Sequence, residues 1–403
     1  MRIALGSALA AFALTLLYGV ILQPQWEPQL NDQMQYLALA RQFVERGEFT
    51  RAVGAEPFVP ETLRLPGYPL LLAPICVGGC DHWRIAVLQG ALLAVLVITT
   101  WRVARRILLR RAALAAVATA LYVPFAYYGS LALSDLPGAV LLTIGCAQWL
   151  LAIEQKSPRF AVAAGALFGW ASLMRGTLLF VSPAIAMVAL AKDRSSWRVA
   201  LITVVASAIT FAPYVAYSEL SFGRAVGGNS GTVMFLGYLQ GRDASTFDDF
   251  ERTQVTAARA QIEAFDAVAD RTERALAWLT LDDSLGARAR SLIAHDPVGW
   301  LARAVARSAV LWGGEQPVRG GASGDLAALL GAVQLVLFAA SLGGAIVLAR
   351  RGDQAALLVG VVILYVWITA LPFQTEARYA LPAQAFALLA AVALLDVRRR
   401  TSA

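Results

Sequence analysis

The chain has 403 residues, of which 58% are hydrophobic and only 15% carry a charge, and its mean hydropathy is +0.61. Soluble globular proteins contain about 45–50% apolar and about 25% charged residues, so this composition excludes that class. The formal net charge of +7 does not indicate nucleic-acid binding, because the arginines cluster between apolar runs and follow membrane topology. Composition therefore predicts an all-α polytopic membrane protein.

Ten apolar runs are predicted to be membrane-spanning helices of a single integral membrane domain over 1–403, because lipid offers the backbone no other hydrogen-bond partners. Their approximate limits are 4–22, 84–101, 112–129, 136–153, 160–174, 177–191, 199–217, 326–349, 355–372 and 379–395. The first run is predicted to be a retained helix, because it is longer than a signal-peptide core and lacks an Ala-x-Ala cleavage site.

Basic residues fall at alternate turns between these helices, and this alternation predicts the orientation. They are Arg2, Arg102, Arg105, Arg106, Arg110, Arg111, Lys156, Arg159, Lys192, Arg194, Arg198, Arg350, Arg351 and Arg398–Arg400. Ten alternating helices place them all on one side, which the positive-inside rule makes cytoplasmic. We therefore expect cytoplasmic termini and two large outer segments, a first loop over 23–83 with a juxtamembrane helix and a mainly helical loop over 218–325.

The first outer loop contains "DQMQYLALARQFVERGEF", whose apolar residues recur at helical spacing before a stop at Gly47. Asp32 stands at the start of this predicted helix. A helix cap explains an acid there, since Asn and Asp are favoured at that position. Asn31 can supply the cap by itself, which leaves Asp32 available for catalysis. Both interpretations stay open on this pattern.

Two further residues stand where the chain meets the membrane. Arg64 in "RLPGYP" precedes a proline-rich bend and is either a snorkelling side chain or a phosphate ligand, because guanidinium groups bind phosphate oxygens in pairs. Asp135 in "LSDLPGAVLL" opens an apolar run, as a cap or as a second carboxylate that converges on the site of Asp32.

Arg175 in "SLMRGTLLF" and Arg378 in "QTEARYALP" break the positive-inside trend. A charge so close to hydrocarbon is costly unless it is paired or functional. Glu376 is a candidate partner for Arg378, and ion pairing and anion binding both remain open.

The remaining candidates give weaker signals. "CVGGCDHW" places Cys76 and Cys80 near an acid and a histidine, where an outer-face disulfide or two free thiols are favoured over a zinc site. We expect no metal and no cofactor, although a divalent ion is compatible with the acids. The segment 295–312 is predicted to lie in the membrane interface with Trp300 and Trp312 as aromatic anchors.

Taken in order, these motifs resemble the polytopic GT-C glycosyltransferases that use polyprenyl-phosphate sugars. This superfamily includes protein O-mannosyltransferases, lipid A aminoarabinose transferases and lipopolysaccharide-core transferases. "DQMQY" is similar to their Asp-Glu-x-x-Tyr motif and "RLPGYP" to Arg-x-Pro-x-Tyr-Pro, while "LSDLPGAVLL", "SLMRGTLLF" and "ARYALP" match later acid and arginine motifs. Gln33 stands where Glu is usual, and Gln35 where some members carry a basic residue.

The resemblance implies transfer of a sugar from a polyprenyl-phosphate donor, with inversion, to a glycan, lipid or protein acceptor at the periplasmic face of the bacterial inner membrane. It implies catalytic roles for Asp32, as general base, and Asp135, and donor-phosphate binding by Arg64, Arg175 and Arg378. The other candidate substrate-binding residues are Tyr36, Tyr68, Glu376, Tyr379 and His295. The alternatives are a polymerase or ligase of polyprenyl-linked glycans and, less favoured because the charges lie at helix ends and no repeat is found, a transporter or flippase.

Overall fold

The architecture is that of a computed structural model, which describes residues 1–22, 31–52, 56–108, 111–314 and 324–397. The side chains of Asn31, 324–328 and 396–397 are outside this description, as are Arg110 and Arg398–Arg400, so the cap predicted at Asn31 and the basic residues predicted there are not addressed. Across the described ranges the chain is helical, and its one β-type pairing is an isolated bridge between Thr50 and Pro60. The predicted all-α fold is confirmed.

The described residues form eighteen α-helices joined by short turns. Their bounds are α1 Arg2–Leu16, α2 Asn31–Arg46, α3 Gly67–Leu72, α4 His82–Ile107, α5 Ala112–Leu121, α6 Val123–Gly129, α7 Asp135–Gln155, α8 Pro158–Met174, α9 Val181–Lys192, α10 Trp197–Phe222, α11 Ser230–Leu239, α12 Asp249–Asp266, α13 Arg271–His295, α14 Pro297–Ala306, α15 Ser308–Gly313, α16 Gly324–Arg351, α17 Gln354–Ala370 and α18 Leu381–Val397. A π-helical turn, Leu17–Leu22, extends α1, and a 3₁₀ turn, Ala377–Ala380, precedes α18.

Membrane-spanning potential is confirmed, with fewer full-length spans than predicted. Six stretches of the described chain are long and apolar enough to cross a membrane, namely Arg2–Leu22, His82–Ile107, Asp135–Gln155, Arg194–Phe222, Leu329–Arg351 and Ala377–Leu395. The pair α5 and α6, bent by 50°, forms a seventh if counted as one span. The helices at the predicted spans 160–174, 177–191 and 355–372 contain only 17, 12 and 17 residues. Seventeen residues rise about 26 Å, less than a typical hydrocarbon core of about 30 Å. A count of ten stays a prediction.

Close helix packing at the centre depends on small residues. α8 lies against α7 on one side and α10 on the other. A Cβ at Gly165 would stand 2.3 Å from the Thr203 carbonyl oxygen, and one at Gly169 would stand 2.6 Å from that of Ser207. Such glycines let helix backbones approach closely where lipid provides no hydrophobic drive. The largest buried cluster, which includes Trp149, Phe168 and Phe386, fills the space around these helices.

The two ends of the helix bundle differ in charge. Arg106 pairs with Glu154 at 3.1 Å, and Arg351 Nη1 donates to the Ile107 carbonyl oxygen at 3.0 Å, so several predicted basic turns meet at one end, the basic end. Asp135 begins α7 and Glu154 stands near its C-terminus, about 30 Å away at the rise of an α-helix. Asp135 therefore marks the opposite end, the site end.

The segments between spans are also structured in their described parts. Cys76 and Cys80 form a disulfide bond, which resolves the alternatives left open for this pair. The region predicted as a second large loop contains α11 to α15. Trp312 is 1% exposed and stacks on Phe338 with ring centroids 4.2 Å apart. Its predicted role as an interfacial anchor is therefore wrong, because the helix breaks at Arg307 and α15 turns into the protein.

Candidate active site

The Asp32 carboxylate is held between two guanidinium groups at the site end. Arg64 Nη2 donates to Oδ1 at 2.5 Å, and Arg378 Nη2 donates to Oδ2 at 3.0 Å. Asp32 lies in the first turn of α2, and both of its oxygens accept from arginine side chains rather than from the helix backbone. About a quarter of the Asp32 side chain is exposed, whereas Arg378 is 8% exposed. The pair of arginines thus fixes a reachable carboxylate.

Arg64 is positioned by groups on three sides. Its Nε donates to Gln35 Oε1 at 2.7 Å, and its guanidinium lies 5.4 Å from the centroid of the Tyr36 ring. The backbone N–H of Arg64 donates to Glu61 Oε1 at 2.8 Å. Glu61 is 1% exposed and also accepts a bidentate pair of bonds from Arg51 at 2.6 and 2.9 Å. The bend before α3 is therefore fixed by a buried carboxylate.

Arg378 reaches the same point from the other end of the chain. It lies on the 3₁₀ turn before α18, where its Nε donates to Glu376 Oε2 at 2.6 Å. Tyr379 donates through its hydroxyl to Glu376 Oε1 at 3.2 Å. The predicted pairing with Glu376 is present, and it leaves Arg378 able to bond Asp32 as well. Asp32, Arg64, Glu376 and Arg378 are called the Asp32 cluster below.

A second ion pair adjoins this cluster. Asp135, 2% exposed, accepts a hydrogen bond from Arg175 Nη1, so its carboxylate is engaged by an arginine instead of capping α7, where Ser134 holds the cap position. The Tyr379 ring centroid lies 5.1 Å from the Arg175 guanidinium and 5.4 Å from that of Arg378. Cations near an aromatic face are attracted by its quadrupole, and one ring therefore links the two pairs.

Two predicted tyrosines, Tyr36 and Tyr68, connect the helices around Asp32. Tyr36 and Tyr68 pack edge to face with centroids 5.0 Å apart. The Tyr36 hydroxyl lies 3.2 Å from Ser134 Oγ, and the buried Tyr68 hydroxyl accepts from Gln89 Nε2 at 2.8 Å. The first bond joins α2 to the start of α7, and the second joins α3 to α4. Tyr68 is completely buried, which favours a supporting role.

His295 is placed apart from the other predicted residues. It ends α13, where its Nε2 lies 2.8 Å from Asp248 Oδ2 and its ring packs on Phe250 with centroids 4.5 Å apart. Its contacts thus join α13 to the start of α12. Substrate binding by His295 stays a prediction.

The electrostatic balance favours an ionised Asp32. Burial alone would raise the pKa of its carboxyl, but Arg64 and Arg378 together lower it below its usual value of 3.8. Burial likewise works to lower the pKa of Arg64, whereas Tyr36, Asp32 and Glu61 raise it. The site therefore holds one fixed negative charge against two fixed positive ones.

The comparisons with known proteins agree with this fold. Residues 68–217 match the family model described as dolichyl-phosphate-mannose-protein mannosyltransferase, a stretch that includes Asp135 and Arg175. No curated protein matches the sequence. The archaeal oligosaccharyltransferase AglB from Archaeoglobus fulgidus, solved with an inhibitory peptide and a dolichol-phosphate, is 16% identical with a TM-score of 0.57, and the alignment covers 98% of this chain and 50% of that one.

A second structure of the Archaeoglobus fulgidus oligosaccharyltransferase, in complex with Zn and sulfate, is 17% identical with a TM-score of 0.58, covering 99% of this chain and 49% of that one. The chain thus spans about half the length of these proteins. The described fold is similar to that of these oligosaccharyltransferases, and residues 68–217 match a mannosyltransferase family model. Both similarities agree with the resemblance seen in the motifs of the chain.

Sequence reasoning missed the residues that position this site. Gln35, Glu61 and Tyr217 are polar residues with no motif of their own, and the Tyr217 hydroxyl accepts from the Glu61 N–H at 2.9 Å. In the sequence, Gln35 stands out only as a departure from a family pattern. Gln35 is 29 residues from Arg64, so no periodic pattern connects the two. The one signal in the sequence is that Gln35 stands where some family members carry a basic residue.

The donor set around Asp32 does not suit a metal ion. Both Asp32 oxygens already accept from cations, and Gln33, where Glu is usual, is buried with its Oε1 accepting from the Ala132 N–H at 3.2 Å. In the described part of the chain, no three His, Cys, Asp or Glu side chains are grouped to hold a metal. Hard divalent cations bind mainly to carboxylate and other oxygen ligands, and the Asp32 oxygens are already engaged by arginines.

Proposed function

We propose that this protein is an integral membrane glycosyltransferase that moves a sugar from a polyprenyl-phosphate donor to an acceptor hydroxyl at the periplasmic face of the bacterial inner membrane. The observation that carries the proposal is the Asp32 carboxylate held between Arg64 and Arg378. This arrangement combines a base with two phosphate-binding groups in one place. The related AglB was solved with a dolichol-phosphate, which supports a lipid-phosphate donor.

The two arginines are suited to the phosphate of the donor. Guanidinium groups bind phosphate oxygens through paired, charge-assisted hydrogen bonds. In the structure both arginines are occupied by Asp32, so donor phosphate and Asp32 compete for the same groups. Binding of phosphate would release the carboxylate from at least one arginine. The loss of that cation raises the pKa of Asp32, which makes it a better base.

The proposed chemical step is a single displacement. The acceptor hydroxyl attacks the anomeric carbon and gives its proton to the Asp32 carboxylate, while the bond from that carbon to the phosphate oxygen breaks. Polyprenyl phosphate departs with the bonding electrons, and Arg64 and Arg378 stabilise its added charge. One attack from the face opposite the leaving group inverts the anomeric configuration.

Arg175 and Asp135 have a different place in the proposal. Arg175 Nε is buried and has no hydrogen-bond partner among the described residues, although its Nη1 bonds Asp135. We assign Arg175 as a further cation for donor phosphate, because the Tyr379 ring lies next to both Arg175 and Arg378. Asp135 then acts as a positioning residue that holds Arg175, because it is almost completely buried.

Asp32→Asn tests the proposal in purified protein supplied with labelled polyprenyl-phosphate sugars. We expect kcat to fall by about 10²–10⁴-fold, the typical contribution of a general base. Binding of polyprenyl phosphate should tighten, because its competitor for the arginines has lost its charge. Asp283→Asn, which removes an exposed acid paired with Arg224, is the matched control. Full activity of a folded Asp32→Asn variant would contradict the role of base and favour a ligase that depends on arginines alone.

A further inference from the structure

A cavity of about 390 Å³ lies beside the Asp32 cluster, between the first loop and α12–α13. It is lined by Arg51, Val59, Leu63, Phe265, Arg271, Arg274, Ala275 and Trp278. The volume falls within the range of about 300–1,000 Å³ that is typical of small-molecule sites. All three charged side chains in this lining are arginines. We call this space the arginine cavity.

The arginines of the cavity retain donors for a ligand. Arg271 Nη1 bonds Glu56 at 3.0 Å and Arg274 Nη2 bonds Asp266 at 3.3 Å, but each guanidinium has five N–H donors. The Arg271 side chain is 57% exposed and that of Arg274 is 45% exposed. Exposed ion pairs are weak because water screens them, so an incoming anion displaces these acids at small cost.

Two aromatic side chains, Phe265 and Trp278, form an apolar wall of the cavity. Phe265 and Trp278 pack edge to face with centroids 5.5 Å apart. The Arg274 guanidinium lies 4.9 Å from the centroid of the Phe265 ring, and Trp278 Nε1 donates to the Gly228 carbonyl oxygen at 3.1 Å. Flat rings held in this way suit the apolar C–H face of a sugar ring, and the arginines beside them suit a carboxylate or phosphate.

Its position connects the cavity to the proposed chemistry. Leu63 lines the cavity, and its chain neighbour Arg64 bonds Asp32. Glu61 joins both sides, because it accepts from Arg51 of the cavity and from the backbone N–H of Arg64. Consecutive Cα atoms are about 3.8 Å apart. The lining of the arginine cavity is therefore joined to the Asp32 cluster through Leu63 and Glu61.

We infer that the arginine cavity binds an anionic saccharide, a sugar that carries a carboxylate or a phosphate, as the acceptor of the transfer reaction. Only the role of this saccharide as acceptor rests on the proposed function. Its binding can be measured without turnover. Among the glycan, lipid and protein acceptors that the superfamily admits, it selects the glycan. The arginines hold the anion, and the aromatic rings hold the sugar face.

Direct binding to the full-length protein in nanodiscs tests the inference with three probes. Cellobiouronic acid carries the carboxylate, cellobiose is its neutral counterpart, and tetraglutamate is an anion without a sugar. We expect saturable binding of cellobiouronic acid that exceeds that of cellobiose and of tetraglutamate by about tenfold or more, the scale of a lost charge-assisted hydrogen bond. Adding inorganic phosphate at high concentration should compete with it.

Variants identify the cavity as the place of binding. Arg271→Ala with Arg274→Ala should weaken cellobiouronic acid about tenfold or more, and Trp278→Leu should weaken it as well. The matched control, Arg259→Ala with Arg290→Ala, removes the same charge from exposed positions outside the cavity and should leave affinity unchanged. Arg271→Gln alone provides a milder change if the double variant unfolds.

The outcomes separate this inference from the proposed function. Absence of saturable binding, equal binding of cellobiose or tetraglutamate, or binding unchanged in the cavity variants overturns the acceptor assignment. None of these results alters donor binding or the effect of Asp32→Asn. Conversely, if Asp32→Asn keeps full activity while cellobiouronic acid binds in the cavity, the proposed function fails and the saccharide site stands.

Discussion

Arg378 donates a 3.0 Å hydrogen bond to Asp32 although the two residues are 346 positions apart in the chain. The bond joins the helix that follows the first span to the turn that precedes the last one. Arg64 holds the other oxygen of the same carboxylate. The two arginines and Asp32 therefore form one unit. An anion that binds there would compete with the Asp32 carboxylate for the two guanidinium groups.

Removal of Arg378 should weaken donor binding. Arg378→Ala deletes a guanidinium that is 8% exposed and is proposed to bind phosphate, so we expect the Kd for polyprenyl phosphate to rise about tenfold to a hundredfold. Arg64→Ala should act in the same direction. Equilibrium binding of labelled polyprenyl phosphate measures the change, with Arg259→Ala as control. Unchanged affinity in both cluster variants would remove the phosphate site from the proposal.

The acid limb of activity should depend on these arginines. The pKa of Asp32 is below 3.8 in the resting site because of its two cations, so the free protein keeps an ionised base down to that pH. Arg378→Ala removes one cation, and the pKa of Asp32 then rises. We expect the acid limb of kcat/KM, which reports the free enzyme, to move to higher pH in this variant. An acid limb that stays in place would show that Asp32 is not the titrating base.

The same linkage applies to stability, with a definite sign. A carboxyl whose pKa is lowered by folding stabilises the protein above its unfolded pKa, near 3.8, and loses that contribution as the pH falls through the lower folded pKa. Asp32→Asn should therefore flatten the loss of stability below about pH 4. Thermal unfolding of both proteins across this range measures the difference. Parallel curves would contradict the assigned direction.

Glu61 is expected to matter more than its distance from the chemistry suggests. Glu61→Gln replaces one carboxylate oxygen by an NH₂ group, which cannot accept a hydrogen bond from Arg51, and the bend at Arg64 loses part of its anchor. We expect a loss of about 1–3 kcal/mol in unfolding free energy and weaker donor binding with kcat less affected. Glu48→Gln, in a more exposed pair with Arg46, is the control and should change stability by about 1 kcal/mol or less.

Chelation should leave transfer unchanged. The Asp32 oxygens accept from two arginines, and Gln33 presents an amide where a carboxylate would be needed for a metal. Treatment of the purified protein with EDTA, followed by transfer assays with and without added Mg²⁺ or Mn²⁺, measures the dependence. A loss of activity that is restored by either ion would contradict this prediction and would require ligands not assigned here.

The sequence was sufficient to predict the parts of the fold that depend on local pattern. Apolar runs predicted the helices, and the order of short motifs predicted that Asp32, Arg64, Asp135, Arg175 and Arg378 come from segments that meet at one end. The number of membrane spans was harder to predict. A hydropathy window detects an apolar run, but it does not show that the helix within the run is too short to cross the bilayer, as α9 is with 12 residues. The burial of Trp312 was missed since amphipathic spacing does not predict a helix break.

Side-chain pairing was the part that sequence reasoning could not supply. Whether Arg378 bonds Glu376, an anion or Asp32 depends on where a turn 346 residues away is placed. Gln35 and Glu61 have roles only because distant backbone brings Arg64 beside them. The capping explanation for Asp135 failed for a similar reason, since Arg175 arrives from the turn after α8 and takes its carboxylate.

The turn that carries Arg378 also has a consequence for biosynthesis. A ribosome delivers the chain from its N-terminus, so Asp32 and Arg64 enter the membrane long before the turn before α18 is made. A chain that ends before this turn therefore holds Asp32 with one cation instead of two. The proposed phosphate-binding pair is assembled only when this turn has been made, and a chain truncated before it is expected to bind polyprenyl phosphate more weakly than the full-length protein.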